Sequence, residues 1–329
     1  MEFKIIAPGA DEIQIINQLP SSFKGFLLPS ADSISAKAHF GEMVFQHYVG
    51  EGFVIWYSNY FICHNTEFIG RGDIPVLELH IQFLNQFDII WDGVGSNTLK
   101  PYQYNLSYTP FLENKAKFLS GRDYHTFDIH FTVEYLERLA QASPALSKFL
   151  EKVAKKQPAN LSETDLFLTP PMIAIINRLL RCDFKDGLNR FFIESRVLEL
   201  ITRILDHIAN QHLVAPIKLS PYEIEKLHEA KEIILGDYEE KISLAQLSRK
   251  VGLNEFKLKK GFKYLFGAPV FAFRRLSKMN KAKELLLNSN LSTDEIAYMT
   301  GFDHPSNFNK AFKKHFLYTP VELKKYNIK

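Results

Sequence analysis

The last ninety residues carry one helix-turn-helix pattern twice over. The first copy reads Ser243-Leu-Ala-Gln-Leu-Ser-Arg-Lys-Val-Gly252-Leu253, then Asn254-Glu-Phe-Lys-Leu-Lys-Lys-Gly-Phe262-Lys263-Tyr-Leu-Phe266. The second reads Ser292-Thr-Asp-Glu-Ile-Ala-Tyr-Met-Thr-Gly301-Phe302, then Asp303-His-Pro-Ser-Asn-Phe-Asn-Lys-Ala-Phe312-Lys313-Lys-His-Phe316. Ser and Gly stand nine apart in both, a Phe-Lys pair follows after ten or eleven residues, and another Phe lies four further on. Each copy predicts a short helix, a sharp turn and a second helix. Gly252 and Gly301 fall where the turn favours positive φ, which glycine adopts at little cost. Asn254 is placed to cap the helix that follows it. Leu258, Phe262 and Phe266 recur at i, i+4, i+8, as do Phe308, Phe312 and Phe316, so one stripe of each second helix faces a core. Opposite that stripe stand Phe256, Lys259, Lys260 and Lys263 in one copy, and Ser306, Asn309, Lys310 and Lys313 in the other. A polar, basic outer face is what a helix entering a DNA groove requires.

Between the copies, Pro269 to about Asn288 has Val270, Phe273, Leu276, Met279, Leu285 and Leu286 as its apolar positions and predicts one connecting helix. Twenty helical residues span roughly 30 Å at about 1.5 Å each. One turn of DNA is about 34 Å, so such a helix can hold two readers on one face of a duplex. Charge points the same way. Residues 241–329 hold 18 Lys/Arg against 6 Asp/Glu, whereas the first 240 hold 22 against 31. A net charge of only +3 thus conceals a basic end on an acidic protein, an electrostatic footprint for phosphate.

Glu223–Tyr326, roughly the last third, resembles the AraC-type (AraC/XylS) family of bacterial transcriptional regulators. The resemblance rests on Leu244-Ala245-Gln246-Leu247, Leu258-Lys-Lys-Gly-Phe262-Lys263, Phe266-Gly267, Ala282-Lys-Glu-Leu-Leu286, Glu295-Ile-Ala297, Gly301-Phe302, Asn307-Phe308, Phe312-Lys313 and Thr319-Pro320. It implies that Phe256, Lys259 and Lys260, and then Ser306, Asn309 and Lys310, occupy the base-facing positions. Side-chain chemistry suits those roles: Asn309 matches adenine edges, Lys259 and Lys260 guanine acceptors or phosphate, and Phe256 a thymine methyl. Lys263 and Lys313 are assigned to phosphate. Three residues depart from the family pattern. Gly261 stands for an aliphatic residue and costs about 1 kcal/mol inside a helix; Lys278 stands for an Arg; Pro305 opens the second reader, where proline is tolerated. The stretch Gly252–Gly267 is also similar to the subgroup responsive to siderophores, which implies a ferric-chelate inducer.

The 329 residues, 46% hydrophobic, suffice for more than one core. Residues 1–131 read mostly as strands. Leu77, Leu79, Ile81 and Phe83 alternate with Glu78, His80 and Gln82; Tyr102, Tyr104, Leu106 and Tyr108 with Gln103, Asn105 and Ser107; Phe127, Ile129 and Phe131 with Asp128 and His130. Gly50–Ile62 reads as strand with a hairpin turning near Ser58-Asn59, and Asp92-Gly93 and Gly95-Ser96-Asn97 read as turns. The period becomes helical at Thr132, with Ser143-Pro144, Thr169-Pro170 and Ser220-Pro221 as further helix starts. Gly187–Gln211 predicts a long amphipathic helix bearing Phe191, Val197, Leu198, Ile201, Ile204, Leu205 and Ile208. The expected class is α+β: an N-terminal β-sandwich or cupin-like barrel sensor with helices, and an all-α C-terminal domain. The expected boundaries are 1–131 for ligand sensing, 132–211 for dimerisation, 212–220 for a linker and 221–329 for DNA binding.

This order resembles the sensor-plus-dimerisation layout of AraC-type regulators, and that resemblance implies a small-molecule inducer, a homodimer and RNA polymerase as partners. Trp56, Tyr57, Trp91, Tyr102 and Tyr104 are candidates to line a ligand pocket. The histidines at 39, 47, 64, 80, 125 and 130 contain no His-x-His pair, and no nucleophile elbow, phosphate loop or His-Glu-x-x-His is present. The reading therefore holds no metal, no cofactor and no catalysis. Cys63 and Cys182 fit two reduced thiols of a cytoplasmic protein; the N-terminus lacks a signal-peptide pattern, and no apolar run reaches membrane-spanning length. The competing readings are a small-barrel enzyme with a DNA-binding tail and a ligand-independent DNA-binding protein.

Overall fold

The computed structural model describes residues 4–6, 13–21, 23, 26–72, 74–91, 95–180, 184, 187–211, 219–236, 242–266, 268–316 and 319–327. The chain forms two compact units: Met1–Leu168 with Leu179–Gln211, and Thr169–Arg178 with His212–Lys329.

In the first unit the strands run β1 (Lys4–Ile6), β2 (Gln14–Ile16), β3 (Asp32–Ala38), β4 (Gly41–Gly50), β5 (Phe53–Ile62), β6 (Thr66–Gly72) and β7 (Val76–Leu84). There follow β8 (Phe87–Trp91), β9 (Gly95–Leu99), β10 (Gln103–Thr109), β11 (Leu112–Phe118) and β12 (Arg122–Phe131). Two helices come next, α1 (Val133–Ala140) and α2 (Pro144–Ala154), then the short strands β13 (Ala159–Asn160) and β14 (Leu166–Phe167). One antiparallel sheet has the order β1-β6-β11-β8-β9; the larger has β13-β10-β7-β12-β5-β4-β3-β2, with β14 also on β10. Between them packs a core of Phe40, Met43, Ile62 and Tyr124 from one side and Phe68, Phe87, Ile89 and Phe118 from the other. Alternation along β7 and β12 sends Leu79, Ile81, Phe127 and Ile129 to the opposite face, where all four are fully buried. That face is covered by helices. Tyr135 of α1 packs on Phe53 and Phe131, and Tyr104 is bonded to His207 at 2.8 Å, on the long helix that closes this unit.

The cap residues act as expected. Thr132 accepts from the Tyr135 amide at 3.2 Å, and Ser143 accepts from that of Leu146 at 3.3 Å with Pro144 leading the helix. Two expectations are corrected. No hairpin turns at Ser58-Asn59: both side chains are buried within β5, and the chain reverses at Glu51-Gly52, between β4 and β5. Gly95-Ser96-Asn97 is the start of β9 rather than a turn; β9 is an edge strand, where exposed polar residues are tolerated. The Asp92-Gly93 turn, Cys182 and residues 212–218 of the linker lie outside the described residues.

The second unit takes in α3 (Pro170–Leu179) up to Arg178; the first closes with α4 (Leu188–Gln211). The remaining helices are α5 (Pro221–Gly236), α6 (Leu244–Val251), α7 (Glu255–Phe266), α8 (Val270–Asn288), α9 (Thr293–Met299), α10 (Pro305–Phe316) and α11 (Pro320–Asn327). Ser220 and Glu223 cap each other's amides at the start of α5. The glycine at 261 has a packing reason. A Cβ there would lie 2.6 Å from Leu227 Cδ1 and 3.3 Å from Leu219 Cδ2, so its absence lets α5 close on α7. Leu227 is itself fully buried and has little room to yield. Gly261→Val should therefore destabilise this unit by about 1–3 kcal/mol through overpacking, despite removing a helical glycine. An unchanged or raised midpoint in denaturant, followed by a probe in the helical unit, would refute this packing account.

Candidate nucleic-acid interface

Both helix-turn-helix units are built from the same local bonds. In α6 the Ser243 hydroxyl accepts from the Gln246 amide at 3.2 Å while Gln246 Oε1 accepts from the Ser243 amide at 2.8 Å. In α9 Ser292 and Glu295 repeat this at 3.2 and 2.6 Å. These reciprocal bonds satisfy amides that a helix start leaves without partners. Gly252 and Gly301 then turn the chain at φ of 70° and 71°, and the following amides of Leu253 and Phe302 return to Ser248 and Ala297 carbonyls, each at 3.0 Å. The second helix of each unit starts at once: Asn254 Oδ1 accepts from the Lys257 amide at 2.8 Å ahead of α7, and Pro305 is the first residue of α10.

Aromatic burial then fixes which face is presented. Leu258, Phe262 and Phe266 are buried along α7, and Phe308, Phe312 and Phe316 along α10. Their rings lie 4.5 Å apart for Phe262–Phe266, 5.5 Å for Phe308–Phe312 and 4.6 Å for Phe312–Phe316. Phe262 also meets Phe273 of α8 at 5.6 Å, tying the first unit to the connecting helix. On the other face of α7, Phe256 is 62% exposed, and Lys260 Nζ lies 4.8 Å from its ring centroid. Lys259 is exposed and paired with Glu255 at 3.4 Å, a surface contact worth little and easily exchanged for another anion. Lys263 is exposed too. On α10, Ser306, Lys310 and Lys313 are exposed, whereas Asn309 is half-buried with Oδ1 enclosed and unpartnered.

One structural role escapes sequence reasoning. Lys278 of α8 donates to the Gly301 carbonyl at 3.3 Å and lies 5.8 Å from the Phe302 ring. It thereby holds the turn of the second unit from 23 residues away, and no local spacing signals that contact.

The five aromatic pocket candidates are not brought together. Tyr57, Tyr102 and Tyr104 are buried on the helix-covered side of the large sheet, and burial pushes all three phenols well above their usual range. Trp56 and Trp91 lie on the inter-sheet side: Trp56 stacks on His47 at 4.8 Å, and Trp91 packs on the core between the sheets. Adjacent residues of a strand point to opposite faces, which separates Trp56 from Tyr57.

Two capped helix-turn-helix units joined by one helix define a tandem DNA-binding domain, in the same chain as a two-sheet domain. Comparison with known proteins agrees. The helix-turn-helix domain model matches residues 247–326, and the model of the regulatory protein PchR N-terminal domain matches residues 44–219, more than half the chain. The regulatory protein PchR of Pseudomonas aeruginosa is 26% identical over 116 residues, covering 35% of this chain and 39% of that protein. The xylose operon regulatory protein of Escherichia coli K12 is 34% identical over 86 residues, covering 26% of this chain and 22% of that one. Among solved structures, the C-terminal domain of a two-component response regulator from Fusobacterium nucleatum is 34% identical over 30% of this chain and 95% of its own, with a TM-score of 0.28. The matches span well under half the length of either curated relative. The chain belongs to the AraC-type transcriptional regulators that carry the PchR N-terminal domain. Among the described residues no helix is long and apolar enough to cross a membrane.

Two predictions follow from this geometry. Replacing Lys263 or Lys313 by Ala should weaken binding to all sequences alike and lower the slope of log affinity against log salt by about 0.9 each, as expected for one phosphate contact; an unaltered slope would remove that residue from the phosphate set. The second concerns His315 of α10. Burial, and then Lys283 and Arg275, push its imidazole down to about 4, and its Nε2 has no partner. The unfolded chain binds this proton near 6.5, so the contribution of neutral His315 is complete above that pH and declines as pH falls from 6.5 to about 4. His315→Gln should flatten this part of the stability profile in thermal unfolding; an identical profile would show that His315 does not cause it.

Proposed function

We propose that this chain is a sequence-specific transcriptional activator, controlled by a small molecule at its N-terminal unit and acting as a homodimer in the cytoplasm with RNA polymerase as partner. The observation that carries the DNA-binding part is the pair of capped reader helices, each with one apolar stripe buried and, Phe256 and Tyr264 apart, a polar, basic face outward. In this reading Phe256, Lys259, Lys260, Ser306, Asn309 and Lys310 meet base edges, while Lys263 and Lys313 meet phosphate. Residues 1–131 sense the ligand, 132–211 dimerise, 212–220 link and 221–329 bind DNA. Support for dimerisation is the outer strip of α4, where Leu188 and Phe191 are 59% and 66% exposed and Leu198 is also exposed. Val197, Ile201, Ile204 and Ile208 of the same helix are buried in its own unit. For the ligand, Trp56 and Trp91 are the candidates that share the inter-sheet side. A ligand acts by its differential affinity for two arrangements of the protein.

The test is a titration of a selected operator at fixed salt with the full chain. Lys259→Ala and Asn309→Ala should each cost about 1–3 kcal/mol of specific affinity, the usual size of a base contact, and leave non-specific binding nearly intact. Unchanged specific binding in both variants would contradict the assignment.

A further inference from the structure

Four polar side chains stand together on the inter-sheet face of the large sheet, and the DNA-binding reading uses none of them. Strands β7 and β12 pair antiparallel with His80 opposite Asp128 and Glu78 opposite His130. The motifs are Glu78-Leu79-His80 and Asp128-Ile129-His130, two carboxylate-x-His tripeptides whose alternation puts all four side chains on one face. His80 Nδ1 lies 2.6 Å from Asp128 Oδ1 and 3.6 Å from Glu78 Oε1, and His130 Nε2 lies 4.0 Å from Glu78 Oε2. One donor atom each from Glu78, His80 and Asp128 falls within a sphere of mutual distances below 4.8 Å.

We propose that Glu78, His80 and Asp128, with His130 beside them, form a binding site for a divalent first-row transition-metal ion. Metal–ligand bonds of about 2.0–2.2 Å put neighbouring donor atoms roughly 3–3.5 Å apart, and the two separations at His80 Nδ1 bracket that range. Asp128 Oδ1 is buried and faces His80 Nδ1 at 2.6 Å. Asp128 is oriented through its other oxygen, which accepts from the Thr126 hydroxyl at 2.7 Å; fixing a carboxylate in this way aims its remaining oxygen into the cluster. Two buried carboxylates also call for a cation. The mixed imidazole–carboxylate set selects transition metals over calcium and magnesium, which take oxygen donors alone.

This inference does not depend on DNA recognition. The full chain, stripped of metal with a chelator, is titrated with Co(II) as a spectroscopic probe and then with Zn(II). One equivalent of Co(II) should bind with visible d–d bands, and Zn(II) should displace it one for one. Glu78→Gln and Asp128→Asn, which keep side-chain volume, should abolish the bands or weaken binding at least ten-fold. Thr126→Val, which removes only the orienting bond, should weaken it by about 10–100-fold. It also serves where a carboxylate variant does not fold. Absence of stoichiometric binding by the native chain would overturn the site, as would bands and affinity left unchanged in the folded variants. Operator binding measured on the same samples keeps this result separate from the DNA-binding assignment.

Discussion

Burial of one aromatic stripe on each reader helix governs what the rest of the helical unit can do. With Leu258, Phe262 and Phe266 turned inward on α7, and Phe308, Phe312 and Phe316 on α10, helix geometry turns Lys259, Lys260 and Lys263, and Ser306, Lys310 and Lys313, outward. The same stripe couples the readers to their support. Phe273 of α8 meets Phe262, while Lys278 of the same helix reaches the Gly301 turn. A 19-residue helix of about 1.5 Å rise per residue is close to one DNA turn in length. That length is what holding two readers on one face of a duplex requires.

The N-terminal unit follows a different logic. Its larger sheet is buried on both sides: one face meets helices and the other faces the second sheet. Alternation along β7 and β12 therefore places carboxylates and imidazoles in a partly buried layer rather than in water. Charges there must be compensated. Glu78, His80 and Asp128 compensate one another at contact distance, and this proximity gives the layer a chemistry that an ordinary core lacks.

The helical unit was legible in the sequence because its determinants are local. Ser243 with Gln246, Ser292 with Glu295, Asn254 as cap and the glycines at the two turns all act within a few residues of themselves. The strands were legible as alternation, but their partners were not, because register depends on residues far apart in the chain. That is why Ser58-Asn59 looked like a turn although both residues sit inside β5. Trp56 and Tyr57 looked like neighbours in one pocket although a two-residue period sends them to opposite faces. The two carboxylate-x-His tripeptides stand in the sequence, yet neither strand alone carries a His-x-His pair whose ligands converge. Their convergence needs two strands and becomes evident only from the pairing of β7 with β12. Gly261, a helix-weakening residue by propensity, makes sense only once Leu227 is seen against it.

If both reader helices of one chain serve a single site, they enter the same side of a duplex. Interference footprinting of guanine N7 and of individual phosphates on a selected operator tests this most directly. Two major-groove windows per bound chain are expected, centred about 10 base pairs apart on one face of the DNA. A single window, or two windows on opposite faces, would contradict it.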